Sequence, residues 1–331
     1  MASFDRIRTF PRVLLLLLSC ACARSLAVEA PPEEPRLRRL ADLRASARSP
    51  SEFSGLERST AHPDVWWTHN DSGDEPRLFA FDSDGRELCP EGEELAEWPG
   101  YSVPGADAVD WEDLCLLEGE LWIADLGNNF STRRNLCLYA LAEPDPRSPR
   151  PLQPARRLEL AYPEQTRFPP ARDWVYDCES LFAAGGRLHL LTKQRRFDPE
   201  SGRAQLVAGT RLYRIEGDLE SGPLELVQLG SHPSLPAPTA ADLSPDGARL
   251  AVLVAQGGRP TPLELWLFAA PPPSARGDWL ALPPRVVHLE ARGLGAPGAN
   301  PLAGAEALAW RDARRLRVLT EAGVWVEVGG L

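Results

Sequence analysis

An internal repeat constrains this chain more than any other feature of its sequence. The segment Asp110-Trp111-Glu112-Asp113-Leu114 is followed by Gly119-Glu120-Leu121-Trp122-Ile123-Ala124-Asp125. The same order returns in Asp177-Cys178-Glu179-Ser180-Leu181, followed by Gly186-Arg187-Leu188-His189-Leu190-Leu191-Thr192-Lys193. Each copy reads as an acid, a leucine, a tight turn and an alternating strand. Less complete copies start at Ser54-Gly55-Leu56-Glu57, at Ala241-Asp242-Leu243 and at Ala305-Glu306-Ala307-Leu308. A further strand with an aromatic residue follows each, as in Leu78-Phe79-Ala80-Phe81 and Leu265-Trp266-Leu267-Phe268. The recurring acids Glu57, Glu112, Glu179, Asp242 and Glu306 are 55 to 67 residues apart. Four antiparallel strands at such a period make one blade of a propeller.

The expected fold class is therefore all-β: a β-propeller of five four-stranded blades. Six blades is the alternative count, because the stretches 143–175 and 270–300 are long enough to hide a degenerate copy. The fifth copy ends at Leu331 with three strands. The segment from Arg36 to Leu43 is expected to supply the fourth and close the ring. Composition agrees. The 33 prolines and 26 glycines in 331 residues are too many breakers for a helical protein. A hydrophobic content of 43% with ten tryptophans excludes a disordered chain. A net charge of −11 argues against general nucleic-acid binding, which needs a basic face.

Residues 1–23 read as a secretory signal. Arg6, Arg8 and Arg12 precede the apolar run Val13 to Leu18, which is too short to span a bilayer. Leu17-Leu18-Ser19-Cys20 has the pattern of a bacterial lipobox, making Cys20 the first, lipid-bearing residue. Ala21-Cys22-Ala23 offers an ordinary cleavage site instead. Residues 24–35 form a proline-containing linker, and 36–331 a single propeller domain. The expected location is the periplasm or outer cell envelope as a lipoprotein, or the medium as a secreted protein. Membrane contact would run only through lipid on Cys20, and the expected state is a monomer. Export makes disulfides among Cys89, Cys115, Cys137 and Cys178 feasible, and buried free thiols are the equal alternative.

Blade geometry turns the repeat into chemistry. The first strand of each blade lines the central channel, so the recurring acids converge on one axis. Carboxylates crowded in this way raise one another's pKa. Protons or a hard cation would relieve them, and Ca²⁺ suits an all-oxygen donor set. The candidate ligands are Glu57, Glu112, Glu179, Asp242 and Glu306, with Asp71, Asp125 and Asn128 from loops at the same rim. His69 and Asp74 are candidate bases, and Lys193 is a candidate anion contact. Turn formation alone is the competing account of the Asp- and Asn-rich loops.

Thr68-His69-Asn70-Asp71-Ser72-Gly73-Asp74, Asp110-Trp111-Glu112-Asp113, Asp125-Leu126-Gly127-Asn128-Asn129 and Asp177-Cys178-Glu179-Ser180 together resemble a group of uncharacterised exported bacterial β-propellers, often predicted lipoproteins. More distantly, the blade starts are similar to those of calcium-dependent β-propeller phytases and gluconolactonase-like propellers. That similarity implies Ca²⁺ at the channel mouth. The chain lacks a clear basic cluster for a polyphosphorylated ligand beyond Lys193, Arg195, Arg196, Arg133 and Arg134. Two functions follow as expectations. One is a cation-bearing binding module for a small molecule, a glycan or an envelope protein. The other is a calcium-dependent hydrolase of a phosphoester or lactone.

Overall fold

The computed structural model describes residues 35–43, 52–254, 263–291, 294–295 and 300–331. The signal segment, Cys20 and all but the last residue of the linker lie outside the described residues. The first described strand, β1 (Arg36–Asp42), belongs to the last blade. Blade 1 contains β2 (Phe53–Arg58), β3 (Trp66–Asn70), β4 (Arg77–Phe81) and β5 (Glu87–Leu88), with β6 (Tyr101–Ser102) also pairing β4. Blade 2 contains β7 (Trp111–Leu117), β8 (Glu120–Asp125), β9 (Cys137–Ala142) and β10 (Arg156–Glu159). Blade 3 contains β11 (Asp173–Ala184), β12 (Arg187–Asp198), β14 (Thr210–Gly217) and β15 (Leu224–His232), and β13 (Arg203–Leu206) extends β12. Blade 4 contains β16 (Pro238–Leu243), β17 (Arg249–Val254), β18 (Leu263–Ala269) and β19 (Arg285–Leu289). Blade 5 contains β20 (Ala305–Asp312), β21 (Arg315–Thr320) and β22 (Val324–Gly329), completed by β1.

Five blades of antiparallel strands agree with the repeat. The stretches that raised a sixth hold β10 and β19, the outer strands of blades 2 and 4. The closing strand also falls where the incomplete last copy requires it: Arg36 pairs with Gly329 and Asp42 with Val324. The first strands β2, β7, β11, β16 and β20 pack side by side in that order, and β20 returns to β2. Apolar residues form layers between neighbouring blades. Trp67 and Leu78 of blade 1 meet Trp111 and Tyr139 of blade 2, and Trp325 of blade 5 meets Trp66 of blade 1. No helix among the described residues is long and apolar enough to cross a membrane. Cys89, Cys115, Cys137 and Cys178 are all free thiols.

The axis side of each first strand has no strand partner, so its N–H groups need other acceptors. Carboxylates supply them between blades. Glu57 accepts from its own neighbour Arg58 N–H at 2.7 Å and from Leu116 N–H of blade 2 at 3.0 Å. Asp113 accepts from Leu114 N–H at 2.9 Å and Leu181 N–H of blade 3 at 2.8 Å. Asp242 accepts from Leu243 N–H and Trp310 N–H of blade 5, both at 2.7 Å. Each acid thus clamps its own strand to the next blade. Replacing Asp113 by alanine strands two buried donors. Asp113→Ala is expected to lose roughly 2–4 kcal/mol of stability, read from urea unfolding. A loss below about 0.5 kcal/mol would refute the clamp.

Candidate functional site

Every first strand carries a bulge, and the bulges decide which acids reach the mouth of the channel. The register shifts between Ser54 and Leu56, Trp111 and Asp113, Cys178 and Ser180, Pro238 and Ala240, and Ala305 and Ala307. The extra residues are Gly55, Glu112, Glu179, Thr239 and Glu306. A bulge bends the strand and re-aims the inserted side chain. Glu112, Glu179 and Glu306 are therefore equivalent, as the repeat implies. Glu57 and Asp242 are not their counterparts. They lie two and three residues beyond the bulge and serve the clamps below the mouth. In blade 1, Gly55 has φ +67°, and His69 Nε2 lies 2.7 Å from where its Cβ would stand.

Two carboxylate triplets meet at Glu112. One oxygen each from Glu112, Asp177 and Glu179 lie within 4.8 Å of one another, and so do those of Asp71, Asp110 and Glu112. Glu112, Asp177 and Glu179 are buried, while Asp71 and Asp110 are half-buried. Asp71, Glu112 and Glu179 are among the ligands expected from the sequence, and the structure adds Asp110 and Asp177. The signal for them was the Asp-x-Glu pair that opens both full copies of the repeat.

Lys193 Nζ lies 2.5 Å from Glu179 Oε1. Arg195 pairs with Asp177, whose other oxygen accepts Asn128 N–H at 2.7 Å. Asp125 and Asn128 stand one layer behind the triplets. Asp125 Oδ1 accepts Arg133 Nη2 at 2.7 Å and Asp110 N–H at 3.1 Å. Asn128 donates to Tyr176 O at 3.2 Å and accepts Arg133 N–H at 2.9 Å. These contacts hold Asp110 and Asp177 in place.

The other candidates stand apart from the triplets. Asp74 is ion-paired with Arg77 and accepts from Asn70 Nδ2 at 2.7 Å. His69 is fully buried, with Nδ1 2.9 Å from Asn70 O and its ring edge-on to Trp111. Burial pushes it down to about 4, so it is neutral near pH 7. Glu306 is in neither triplet: it bonds Glu321 at the same mouth and feels the charges of Lys193 and Asp71.

Burial and mutual repulsion raise the acids. Burial, then Glu179, Asp71 and Asp177, hold Glu112 well above the usual carboxylate range. Burial raises Glu179 too, although Lys193 pulls it back. Asp110 is pushed up to about 6 by burial, Asp71 and Asp177. Glu306 is pushed up to about 7 by burial and Glu321. Burial alone would lower Lys193, but Glu179, Asp177 and Glu112 raise it overall.

No protein-family model matches the chain, and no curated protein gives a significant match. Solved structures do align with it. A protein of unknown function from Bacteroides thetaiotaomicron is 8% identical over 89% of this chain and 76% of that one, with a TM-score of 0.42. A chain of the mitotic checkpoint complex is 11% identical over 97% of this chain and 99% of that one, at 0.41. Kuenenia stuttgartiensis hydrazine synthase is 11% identical over 82% of this chain, at 0.37, and this chain spans 56% of its length. Likenesses this distant carry no argument about activity. The class, a five-bladed β-propeller, rests on the strand order itself.

The raised acids make stability depend on pH. Glu306 moves from 4.5 to about 7 on folding, and Asp110 from 3.8 to about 6. Their contribution is complete below the unfolded values and is lost as pH rises through about 6 to 7. His69 and His189 oppose this, because their contributions are present above 6.5 and are lost as pH falls through about 4. With Glu112, Glu179 and Asp242 also raised, the carboxyls outnumber these histidines. With chelator present, the protein is expected to melt several degrees higher near pH 5.5 than near pH 8. Equal midpoints in a fluorescence melt would contradict the assigned directions.

Proposed function

We propose that this protein is an exported β-propeller binding module whose channel mouth holds a divalent cation. The observation that carries the reading is Glu112, a buried carboxylate shared by two triplets of acids. Five carboxylates face Lys193 and Arg195 there, and each of those cations is already paired. A divalent ion would neutralise the excess. Hard oxygen donors without sulfur or imidazole favour Ca²⁺. Asp71, Asp110, Glu112, Asp177 and Glu179 would hold it. The ion would order the loops Asn70–Asp74 and Leu126–Asn129, which rim the mouth. The ligand of that rim would be a small molecule, a glycan or an envelope protein.

A second reading is a metal-dependent hydrolase of a phosphoester or lactone. It is favoured by Lys193, whose ammonium stands in the same cluster where an anionic substrate oxygen would approach. A chelator-sensitive turnover of phosphoesters, lactones or aryl esters would support it, and none would leave the binding module alone.

The cation is tested by melting at pH 7.5 with Ca²⁺, Mg²⁺ or chelator. At 100 times its dissociation constant, Ca²⁺ is expected to stabilise the fold by about 2.7 kcal/mol, a shift of a few degrees. Glu112→Gln should abolish the shift. Gly127→Ala is a charge-neutral check. Its methyl group would stand 2.1 Å from Glu112 Oε1 and 2.4 Å from Asp110 Cγ, so the acids must move. A full Ca²⁺ shift in both variants would refute the site.

A further inference from the structure

At the rim opposite the acidic mouth, one arginine is buried without an acidic partner. Arg317 of β21 is 1% exposed. Its guanidinium lies against two indoles that meet edge to face, with Cζ 4.4 Å from the ring centres of both Trp66 and Trp325. That aromatic corner joins blades 5 and 1, and cation–π contact offsets part of the cost of burying the charge. It does not satisfy the N–H groups. Arg317 Nε and Nη1 are buried and have no hydrogen-bond partner among the described residues. Those two nitrogens are closed to solvent, so Nη2 is the donor left to meet an acceptor from the cavity side.

A cavity of about 270 Å³ opens at this point, lined by Arg38, Arg39, Leu40, Ser83, Asp84, Arg311 and Arg317. Its positions follow from topology. Arg317 lies near the start of β21, whereas Thr320 at the end of that strand pairs with Ala305 beside the mouth. Ser83 and Asp84 form the turn between β4 and β5, at the same far rim. Four guanidiniums line the cavity, and the acids around it are already engaged, Asp64 among them through Ser83 Oγ at 3.1 Å. Glu327 divides its oxygens between Arg38 at 3.1 Å and Arg311 at 2.6 Å. Asp42 pairs with Arg39. Asp84, at the open edge, pairs with Arg86 at 3.3 Å. Arg317 has none of them. Burial and the neighbouring Arg311 push it down to about 10, still charged at neutral pH.

We propose that this cavity is an anion site for a phosphate-type oxyanion, with Arg317 as its floor and Arg311, Arg38 and Arg39 as its walls. A guanidinium presents a planar set of donors that matches phosphate oxygens better than an ammonium does. The volume of about 270 Å³ is ample for a phosphate group. The site is independent of the cation proposed for the mouth, because it lies at the other end of the channel and uses none of the same residues.

The test is calorimetric titration of the full chain with inorganic phosphate, against sodium chloride of equal ionic strength. Chelator is kept present so that no cation can bridge phosphate to the mouth. Saturable binding of one phosphate per chain is expected. Arg311→Gln should weaken it about tenfold, the effect of one charge-assisted hydrogen bond. Arg317→Lys, which keeps the charge but loses the planar donors, should weaken it by as much or more. If Arg317→Lys does not fold, Arg311→Gln and Arg38→Gln still decide. Glycerol phosphate and phosphatidylglycerol vesicles separate the two sources of the group: binding of the first alone marks a soluble ester, and binding of both a lipid headgroup. No heat beyond the chloride control, or unchanged affinity in Arg311→Gln, would overturn the proposal.

Discussion

Five strands converge on one axis, and none has a strand partner on its inner side. The fold depends on how that unpaired edge is satisfied. Open sheets shield such edges with loops or charges. Here the neighbouring blade does it through side chains. Glu57, Asp113 and Asp242 each bridge two successive blades with the two oxygens of one carboxylate. Ser54 and Thr239 add lighter versions, donating to Glu112 O at 2.6 Å and Ala305 O at 3.0 Å. The apolar layers between blades provide most of the burial, but they are non-directional. The clamps fix how far each blade slides along the axis.

The same crowding divides the acids into two tiers. Below the mouth, each carboxylate is consumed by backbone donors. At the mouth, the bulge turns Glu112 and Glu179 away from the ladder, and Asp71, Asp110 and Asp177 gather around them. The lower tier is filled by hydrogen bonds that the fold itself provides, whereas the upper tier retains more negative charge than its neighbours cancel. The upper tier is therefore the place where the proposed cation would sit. Structural residues need not be less acidic than functional ones, and in this molecule they differ only in what their oxygens already hold.

Much of this was legible in the sequence. The blade count followed from the spacing of the acids, and the closing strand from a last copy one strand short. The Asp-x-Glu openings of blades 2 and 3 pointed to Glu112 and Glu179. What escaped was register. Aligning the copies by their acids cannot see where each strand bulges, so Glu57 and Asp242 read as equivalents of the bulged glutamates although they lie two and three residues past Gly55 and Thr239. Only the ladder shows that Gly55 and Thr239 hold those positions. His69 and Asp74 looked available because nothing local reveals that one is sealed beside Trp111 and the other paired with Arg77. The aromatic corner that holds Arg317 was out of reach for a different reason. Its two indoles come from opposite ends of the chain, and no local pattern announces such a meeting.

The strand β1 has a consequence for the order of events during synthesis. Its partner β22 is made long after it, as the 289-residue separation of the bonded pair Arg38 and Glu327 shows. While the residues between them are made, β1 must wait with no partner strand. Only once β22 exists can the ring lock. Closing a loop that spans nearly the whole ring carries the largest chain-entropy cost of any pairing in the fold, so the joint between β1 and β22 is its slowest contact to form.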